Sequence, residues 1–162
     1  VGLTGWDLPP RRGKTQMLRL AEMFSQDTQD DYSEPEARGI LPHAKAIFVS
    51  DFLADSAPIE ASLVKAADRN VRGALVQVLD PAEEAFPFRG RTIFESIGKS
   101  MAHETLKAAD LRDRYLERLA MRKDRLETLC RQTGWQFYCH HTNQSAQTAL
   151  LWLYRAMDGG VR

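Results

Sequence analysis

The fold of this chain follows from one segment, AKAIFVSDFLADSAPIEASLVKAADRNVRGALVQVLD, residues 44–80. The segment begins with an apolar, β-prone run at 44–50 and ends with a second such run at 73–79. Between the two runs, residues 57–69 carry apolar side chains at helical spacing. Near-continuous apolar runs are typical of strands that are covered on both faces, as in a parallel sheet. The segment therefore predicts a β-α-β unit with two parallel strands and a right-handed crossover.

Helices and strands continue to alternate outside this unit. We predict helices at 15–31, 106–133 and 145–157, a strand at 135–140, and a small hairpin within 85–96 that turns at Arg89-Gly90. The apolar face of the first helix is expected at Met17, Leu18, Leu20, Ala21, Met23 and Phe24, and that of the longest helix at Leu111, Tyr115, Leu119, Leu126 and Leu129. Gly134 stands where the longest helix needs a C-terminal cap. The alternation predicts an α/β fold, a Rossmann-like three-layer sandwich with a mainly parallel sheet.

The composition excludes several classes of function. The chain has 162 residues, the length of a single domain, and its 22 Lys and Arg balance 22 Asp and Glu. Because the net charge is zero, no overall field attracts nucleic acid or an anionic membrane. No apolar run approaches the roughly 20 residues that span a bilayer. Cys130 and Cys139 are too few for a disulfide framework, which indicates a reduced, cytoplasmic protein.

The chain opens with Val1 in the apolar run VGLTGW, as though it were already inside a strand. We therefore expect residues 1–162 to be a piece of a longer protein.

A second motif to weigh is Gly13-Lys14-Thr15, which resembles the end of a nucleotide-binding P-loop. The full motif needs a glycine at position 8, so that backbone N–H groups can wrap a phosphate, and this chain has Leu8 there. Pro9 and Pro10 also remove N–H donors from the loop. The motif predicts the turn that starts a helix and not a nucleotide site.

Polar residues follow each of the three apolar strands, at the sheet edge where ligands bind in α/β folds. These residues are Ser50, Asp51 and Asp55 after the first strand, Asp80 after the second, and His141, Thr142 and Asn143 after the third. Asp51 is a suitable hard oxygen ligand for Mg²⁺, although such a site usually draws on further oxygens. Aspartates in these positions also serve as helix N-caps or turn residues, which is the simpler interpretation of each one alone.

Two other chemistries have little support. Zinc binding by Cys139-His140-His141 is disfavoured because consecutive strand residues point to opposite faces. A Ser-His-Asp group can be drawn from Ser50, His141 and Asp80, but no G-x-S-x-G elbow presents the nucleophile.

Several stretches together resemble the second half of the domain-of-unknown-function 58 (DUF58) family, which is related to the von Willebrand factor A domain. The stretches are GLTG, PPRRGKTQMLRL, AIFVSDFL, ALVQVLDPAEEAFPFRGRTIFES and WQFYCHHTNQSAQTALLWLY. The most specific marks are Ser50-Asp51, Val78–Glu83 and Pro87–Gly90. The resemblance covers essentially the whole chain and implies a Rossmann-like sheet with helices on both sides.

The resemblance also implies a site. In the von Willebrand type A fold, three loops at the carboxyl edge form a metal-ion-dependent adhesion site. Asp51 matches the third loop, and Gly13-Lys14-Thr15 falls at the second, so Asp51 and Thr15 are the implied metal residues. The D-x-S-x-S loop is absent from this chain. We therefore expect no cofactor and no tight divalent binding from Asp51 and Thr15 alone, and Mg²⁺ only in a longer protein that supplies the missing loop.

The resemblance implies a non-enzymatic protein-interaction module, because relatives in this family resemble partners of MoxR-type AAA+ ATPases. Asp51, Thr15 and Asp80 are the residues expected to act. The implied sheet order leaves the strand at 44–50 at an edge, which predicts a homo-oligomer formed through that strand. One alternative is a metal-assisted hydrolase that uses Asp55 or His141 with Asp51. Another is a structural half-domain with no functional site.

Overall fold

Three parallel strands form the central sheet of the computed structural model, which describes residues 2–3, 6–7, 13–25, 40–53, 55–90, 92–95, 102–105 and 108–158. The strands of the structure are β1 (Gly2–Leu3), β2 (Trp6–Asp7), β3 (Lys45–Ser50), β4 (Arg72–Leu79), β5 (Thr92–Glu95), β6 (Ala102–Thr105) and β7 (Gln136–His141). The helices are α1 (Lys14–Ser25), α2 (Ser56–Asp68), α3 (Pro81–Ala85), α4 (Arg112–Thr133) and α5 (Ala146–Asp158), with a 3-10 helix at Ala108–Leu111.

The order of the central sheet is β3-β4-β7, with every pair parallel. The predicted β-α-β unit is therefore confirmed, and so is the α/β Rossmann-like layout. Lys45 pairs with Arg72 and Ser50 with Gln77, so β3 and β4 run side by side over the whole length of β3. β1 and β2 pair with each other in a separate antiparallel ribbon.

The main core lies between one face of the sheet and helices α2 and α4. Asp55 is the N-cap of helix α2, and its side chain accepts a hydrogen bond from the Ala57 backbone N–H. The helix buries an apolar face on the sheet. The cluster comprises Phe52, Ile59, Leu63, Ala66, Val71, Leu75, Leu126, Leu129, Cys130 and Trp135. Helix α5 packs on the other face, against β4 and β7, where Tyr138 stacks on Trp152 at 4.9 Å. These layers make the predicted three-layer sandwich.

The longest helix agrees with its pattern. Leu119, Leu126 and Leu129 are buried, and Leu111 and Tyr115 are half-buried. Gly134 ends the helix in the left-handed conformation, with φ of 71°, as expected of a C-terminal cap. The predicted start at 106 lies outside the described residues, but residues 108–111 form a 3-10 helix, so the α-helix begins at Arg112, later than predicted.

The predicted apolar face of the first helix is partly wrong. Met23 is buried and Leu20 is half-buried, as predicted, but Met17, Leu18 and Ala21 are exposed, and Gln16 is buried instead. Periodicity identified the helix, but the packing of α1 buries only part of the predicted face. The predicted end of this helix, at 26–31, lies outside the described residues.

The arms of the small hairpin were also predicted wrongly. The antiparallel pair is β5 with β6, in which Thr92 pairs with Thr105, so Arg89-Gly90 precedes the first arm and does not join the two. The residues before Arg89 are not a strand because 81–85 form α3. Phe86 then caps that helix in the left-handed conformation and lies 5.0 Å from the Tyr115 ring on α4.

Within the part of the chain that the structure describes, no helix is both long enough and apolar enough to cross a membrane.

Candidate functional site

The carboxyl edge of the sheet gathers the polar residues that follow its three strands. Asp51 comes directly after β3, Asp80 directly after β4, and His141 ends β7. Because the three strands are parallel, these residues stand at one edge, as the sequence predicted. The strand order places Asp80 between the other two.

Asp51 belongs to a tightly organised turn. Its Oδ1 accepts hydrogen bonds from the Leu53 backbone N–H at 3.0 Å and from the Ser50 hydroxyl at 3.4 Å. Its backbone carbonyl accepts a hydrogen bond from the side-chain amide of Gln77 at 3.0 Å. The next residue, Phe52, is buried with φ of 54°, which fixes the direction of the turn. The carboxylate itself is exposed on a well-anchored loop.

Gln77 joins this turn to the centre of the sheet. Its side chain is fully buried, and while the amide nitrogen reaches the Asp51 carbonyl, Oε1 has no hydrogen-bond partner among the described residues. A buried amide is costly unless it is hydrogen-bonded, and the bond to the Asp51 carbonyl satisfies one of the two N–H donors of the Gln77 amide.

Asp80 caps a helix, which is the simpler of the two interpretations that its sequence position allowed. It is the N-cap of α3, where Oδ1 accepts from the Ala82 backbone N–H at 2.8 Å, and the Asp80 backbone N–H donates to Oε2 of Glu83 at 2.8 Å. Its Oδ2 accepts from the Thr142 hydroxyl at 2.8 Å, which links β4 to the residue after β7. These bonds, first that from Ala82 and then that from Thr142, lower the pKa of the Asp80 carboxyl.

Glu83 and Tyr115 are two groups at this edge whose pKa values are raised. Burial raises the pKa of Glu83, the Asp80 backbone N–H opposes the rise, and the charges of Asp51, Asp80 and Glu84 add to it. Burial also raises the pKa of Tyr115, followed by repulsion from Glu83 and Asp51. The negative charges of several carboxylates therefore act on two partly buried groups at this edge, Glu83 and Tyr115.

A second group at this edge combines three types of ligand atom. One carboxylate oxygen of Glu84, the thiol of Cys139 and one ring nitrogen of His141 all lie within 4.8 Å of one another. His141 Nε2 is 2.9 Å from Glu84 Oε2, and the Lys123 ammonium lies 3.5 Å from Glu84 Oε1. Burial raises the pKa of Glu84, but the hydrogen bond from His141 and the charges of His141 and Lys123 outweigh it, so the net shift is downward.

The two thiols have different surroundings. Burial, followed by the Glu127 charge, raises the pKa of Cys130 to about 11, so this thiol stays protonated at neutral pH. Burial also raises the pKa of Cys139, but the nearby Lys123 ammonium opposes that effect. Both cysteines are free thiols, and Cys139 is the one that faces other titratable groups.

The remaining sequence predictions fare differently. Thr15 lies exposed in the first turn of α1. The Asp51 carboxylate accepts hydrogen bonds from Ser50 and Leu53 in its own turn. A metal site shared by Asp51 and Thr15 therefore stays a prediction. Asp55 caps α2. The Ser-His-Asp group is not connected, because the Ser50 hydroxyl bonds within its own turn while Asp80 and His141 each have another partner.

Glu83, Glu84 and Lys123 were not among the predicted site residues. Cys139, His140 and His141 do not converge, as predicted, since His140 stands on the opposite face of β7. The same alternation places Cys139 and His141 on one face, and this pair was the available signal. The third member, Glu84, comes from a helix 55 residues earlier in the chain, and no local pattern connects the two.

Comparisons with known proteins leave the family open. No protein-family model matches the chain, and no curated protein sequence matches it. Among solved structures, the chain is similar to an uncharacterised membrane-spanning protein from Vibrio fischeri, with 18% sequence identity and a TM-score of 0.29. The match covers 75% of this chain and 48% of that one, so the chain spans about half the length of that protein. A TM-score this low carries no argument about fold or function.

Proposed function

We propose that this chain is a non-enzymatic protein-interaction module that binds a protein partner along the free edge of β3. The observation that carries the proposal is the position of β3 in the sheet. Among the described residues, β3 pairs with β4 on one side and with no strand on the other. A strand in that position has unpaired backbone N–H and C=O groups, which can pair with an extended segment of another protein.

The side chains of β3 support the same proposal. Ala46 and Phe48 are half-buried against the core, while Ile47 and Val49 point to the opposite face and are 46% and 60% exposed. Helix α5 packs mainly on β4 and β7 and reaches this face of β3 where the Lys45 ammonium donates to the Met157 carbonyl at 2.6 Å, while Ile47 and Val49 stay exposed. A partner that adds a strand and covers Ile47 and Val49 gains both backbone hydrogen bonds and apolar burial.

The identity of the partner rests on the resemblance to the DUF58 family. That resemblance favours a MoxR-type AAA+ ATPase, with self-association through the same edge as the alternative. The turn at Asp51 directly follows β3, so a partner strand on this edge would end near the carboxyl-edge residues. In this proposal Asp51, Thr15 and Asp80 contribute secondary contacts, and Mg²⁺ takes part only where a longer protein supplies the missing loop. The two free thiols favour a cytoplasmic location.

The hydrolase alternative gains little from the geometry. Asp51 and His141 follow strands on either side of β4, and two strand spacings separate such positions by about 10 Å. His141 bonds to Glu84, and Asp55 caps α2. A metal ion therefore has no ready second ligand beside Asp51 from either residue.

Binding measurements with matched substitutions test the proposal. Val49→Lys places a charge on the exposed face of β3, where edge strands commonly carry lysine to prevent pairing. Ile93→Lys is the matched control, because Ile93 is a β-branched residue on β5 that is 54% exposed. We expect Val49→Lys to weaken binding to a purified MoxR-type ATPase at least about tenfold, an effect of roughly 1.4 kcal/mol, and Ile93→Lys to leave it unchanged.

Size-exclusion chromatography with light scattering on the same proteins would measure self-association. A dimer that Val49→Lys dissociates and Ile93→Lys preserves supports the alternative partner, a second copy of the chain. The proposal fails if neither the ATPase nor a second copy binds. It also fails if Val49→Lys binds as tightly as the unmodified chain while Asp51→Ala does not bind, since the partner site would then be the carboxyl edge.

A further inference from the structure

Glu84, Cys139 and His141 form a cluster of metal-ligating side chains that the proposed function does not use. Glu84 lies in α3, and the other two residues lie two apart on β7, on the face of the sheet that α4 covers. One potential ligand atom from each lies within 4.8 Å of the other two. The cluster is separated from the free edge of β3 by the whole width of β4.

We propose that Glu84, Cys139 and His141 bind a single Zn²⁺ ion. A thiolate, an imidazole nitrogen and a carboxylate oxygen are the three ligand types that zinc takes in proteins, whereas the thiolate disfavours Mg²⁺ and Ca²⁺. The carboxylate and thiolate together balance the charge of the ion. Three protein ligands leave a fourth tetrahedral position for water.

The geometry requires only small movements. Ligand atoms at ordinary zinc distances in a tetrahedral site are about 3.3–3.7 Å apart. The hydrogen-bonded Glu84 and His141 atoms, at 2.9 Å, must separate slightly, and any pair near the 4.8 Å limit must approach by about 1 Å. Rotation about side-chain bonds supplies movements of this size, since Cys139 and His141 are half-buried and Glu84 is exposed.

Lys123 is the group that zinc must displace. Its ammonium, 3.5 Å from Glu84 Oε1, now balances part of the negative charge of the cluster. A divalent ion on the same carboxylate would repel it. Lys123 has a long, flexible side chain that is only partly buried, so it can turn towards solvent. Binding also transfers the Cys139 thiol proton to solvent as the sulfur–zinc bond forms.

In the structure the Glu84–His141 bond links α3 to β7 at this cluster. A bound zinc ion would add a stronger link between the same two elements. The inference does not rest on the proposed function. The free edge of β3 and the cluster use different residues, and each set of substitutions leaves the other set intact.

Cobalt substitution is the most direct test, because Co²⁺ reports on its own ligands. A thiolate bound to Co²⁺ gives a charge-transfer absorption band in the near ultraviolet, and a tetrahedral site gives visible d–d bands. The full chain is titrated with Co²⁺ under reducing conditions, and Zn²⁺ is then added to displace it. We expect a band that saturates at one Co²⁺ per chain and is abolished by one equivalent of Zn²⁺.

Two variants alter proposed ligands, a third alters the competing Lys123, and a fourth is a control. Cys139→Ser should abolish the charge-transfer band, and Glu84→Gln should weaken binding while keeping the band. Lys123→Met should tighten Co²⁺ binding because it removes the competing ammonium. His140→Asn is the matched control, since it alters the neighbouring histidine on the other face of β7 and should bind as the unmodified chain does. Loss of a direct ligand should cost more than the 10- to 100-fold typical of residues that only support a ligand.

Circular dichroism checks that each variant is folded, and thermal unfolding with and without Zn²⁺ supplies a second measurement. We expect Zn²⁺ to raise Tm for the unmodified chain and for His140→Asn but not for Cys139→Ser. The proposal is overturned if the unmodified chain shows no stoichiometric band. It is equally overturned if Cys139→Ser retains the band, because Cys130 or an adventitious thiolate would then be the ligand.

Discussion

Replacing Gly73 with alanine tests how closely β4 approaches its neighbours. Gly73 pairs with Ala46 of β3, and its backbone is not in the left-handed region, so alanine meets no conformational barrier there. A Cβ atom at this position would overlap the backbone carbonyl oxygen of Ala46. It would also lie 2.5 Å from Cζ3 and 2.7 Å from Cη2 of Trp135. Carbon atoms in good contact are about 3.5–4.0 Å apart, so the overlap with the ring is about 1 Å.

Neither neighbour of Gly73 can move cheaply. The Ala46 carbonyl belongs to the β3 backbone, and Trp135 is buried with its indole N–H donating to the Val71 carbonyl at 3.1 Å. Overpacking a core of this kind typically costs 1–3 kcal/mol, and the backbone overlap favours the upper end. We therefore expect Gly73→Ala to lower the free energy of unfolding by about 3 kcal/mol, a large part of the 5–15 kcal/mol typical of a domain.

Equilibrium unfolding in urea, followed by far-ultraviolet circular dichroism, measures this loss. Gly134→Ala is the control, because Gly134 has φ of 71° and a methyl group added to it would have no neighbouring atom within 4 Å. Alanine there incurs only the left-handed backbone cost of about 1–2 kcal/mol. The steric argument is refuted if Gly73→Ala unfolds within 0.5 kcal/mol of the unmodified chain, taking about that value as the error of such measurements.

Three further substitutions test other parts of the fold by the same unfolding assay. Asp55→Ala should cost about 1 kcal/mol because α2 loses its N-cap, whereas Asp55→Asn should cost little; equal losses would contradict the capping role. Leu126→Ala should cost 2–5 kcal/mol because Leu126 is fully buried between helix and sheet, and a smaller loss would mean that the core closes over the cavity. The hydrogen bonds from Arg125 to Glu60, at 3.0 and 2.6 Å, lower the pKa of Glu60 below its ordinary value of 4.5. This carboxylate therefore stabilises the fold above that value, and the contribution is lost as the pH falls below it. Glu60→Gln should flatten the dependence of the urea midpoint on pH in that range, and an unchanged slope would exclude the pair as its source.

The sheet and its main helices were predictable because their signals are local. The two apolar runs at 44–50 and 73–79 differ from β3 and β4 by one residue at most, and α2 begins one residue before its predicted start. Strand β4 is buried on both faces, and such burial requires a continuous apolar strand. Strand β3 is apolar too, but the expected cover on both faces is wrong for it, because Ile47 and Val49 are exposed. A helix on a sheet requires one apolar stripe, so the signal for each element lies in its own residues.

The elements that were predicted wrongly depend on packing between parts of the chain and not on local signals. The residues before Arg89-Gly90 form α3 and its Phe86 cap, and the hairpin arms follow the turn, an order that the turn residues themselves do not encode. Periodicity placed Met17, Leu18 and Met23 on one face of α1, but which of them is buried depends on what that helix packs against, and only Met23 is.

For the candidate sites too, some features follow from local sequence and others from tertiary packing. The sequence by itself determined that Asp51, Asp80 and His141 end parallel strands and so share an edge, since strand direction places all carboxyl ends together. Only the tertiary structure decided which of these side chains meet. Asp80 caps α3 and accepts a hydrogen bond from Thr142, and Glu84 lies close to Cys139 and His141. Pairing across 55 residues depends on how α3 packs beside β7, and the free energy of that packing comes from many distant contacts that no short pattern contains.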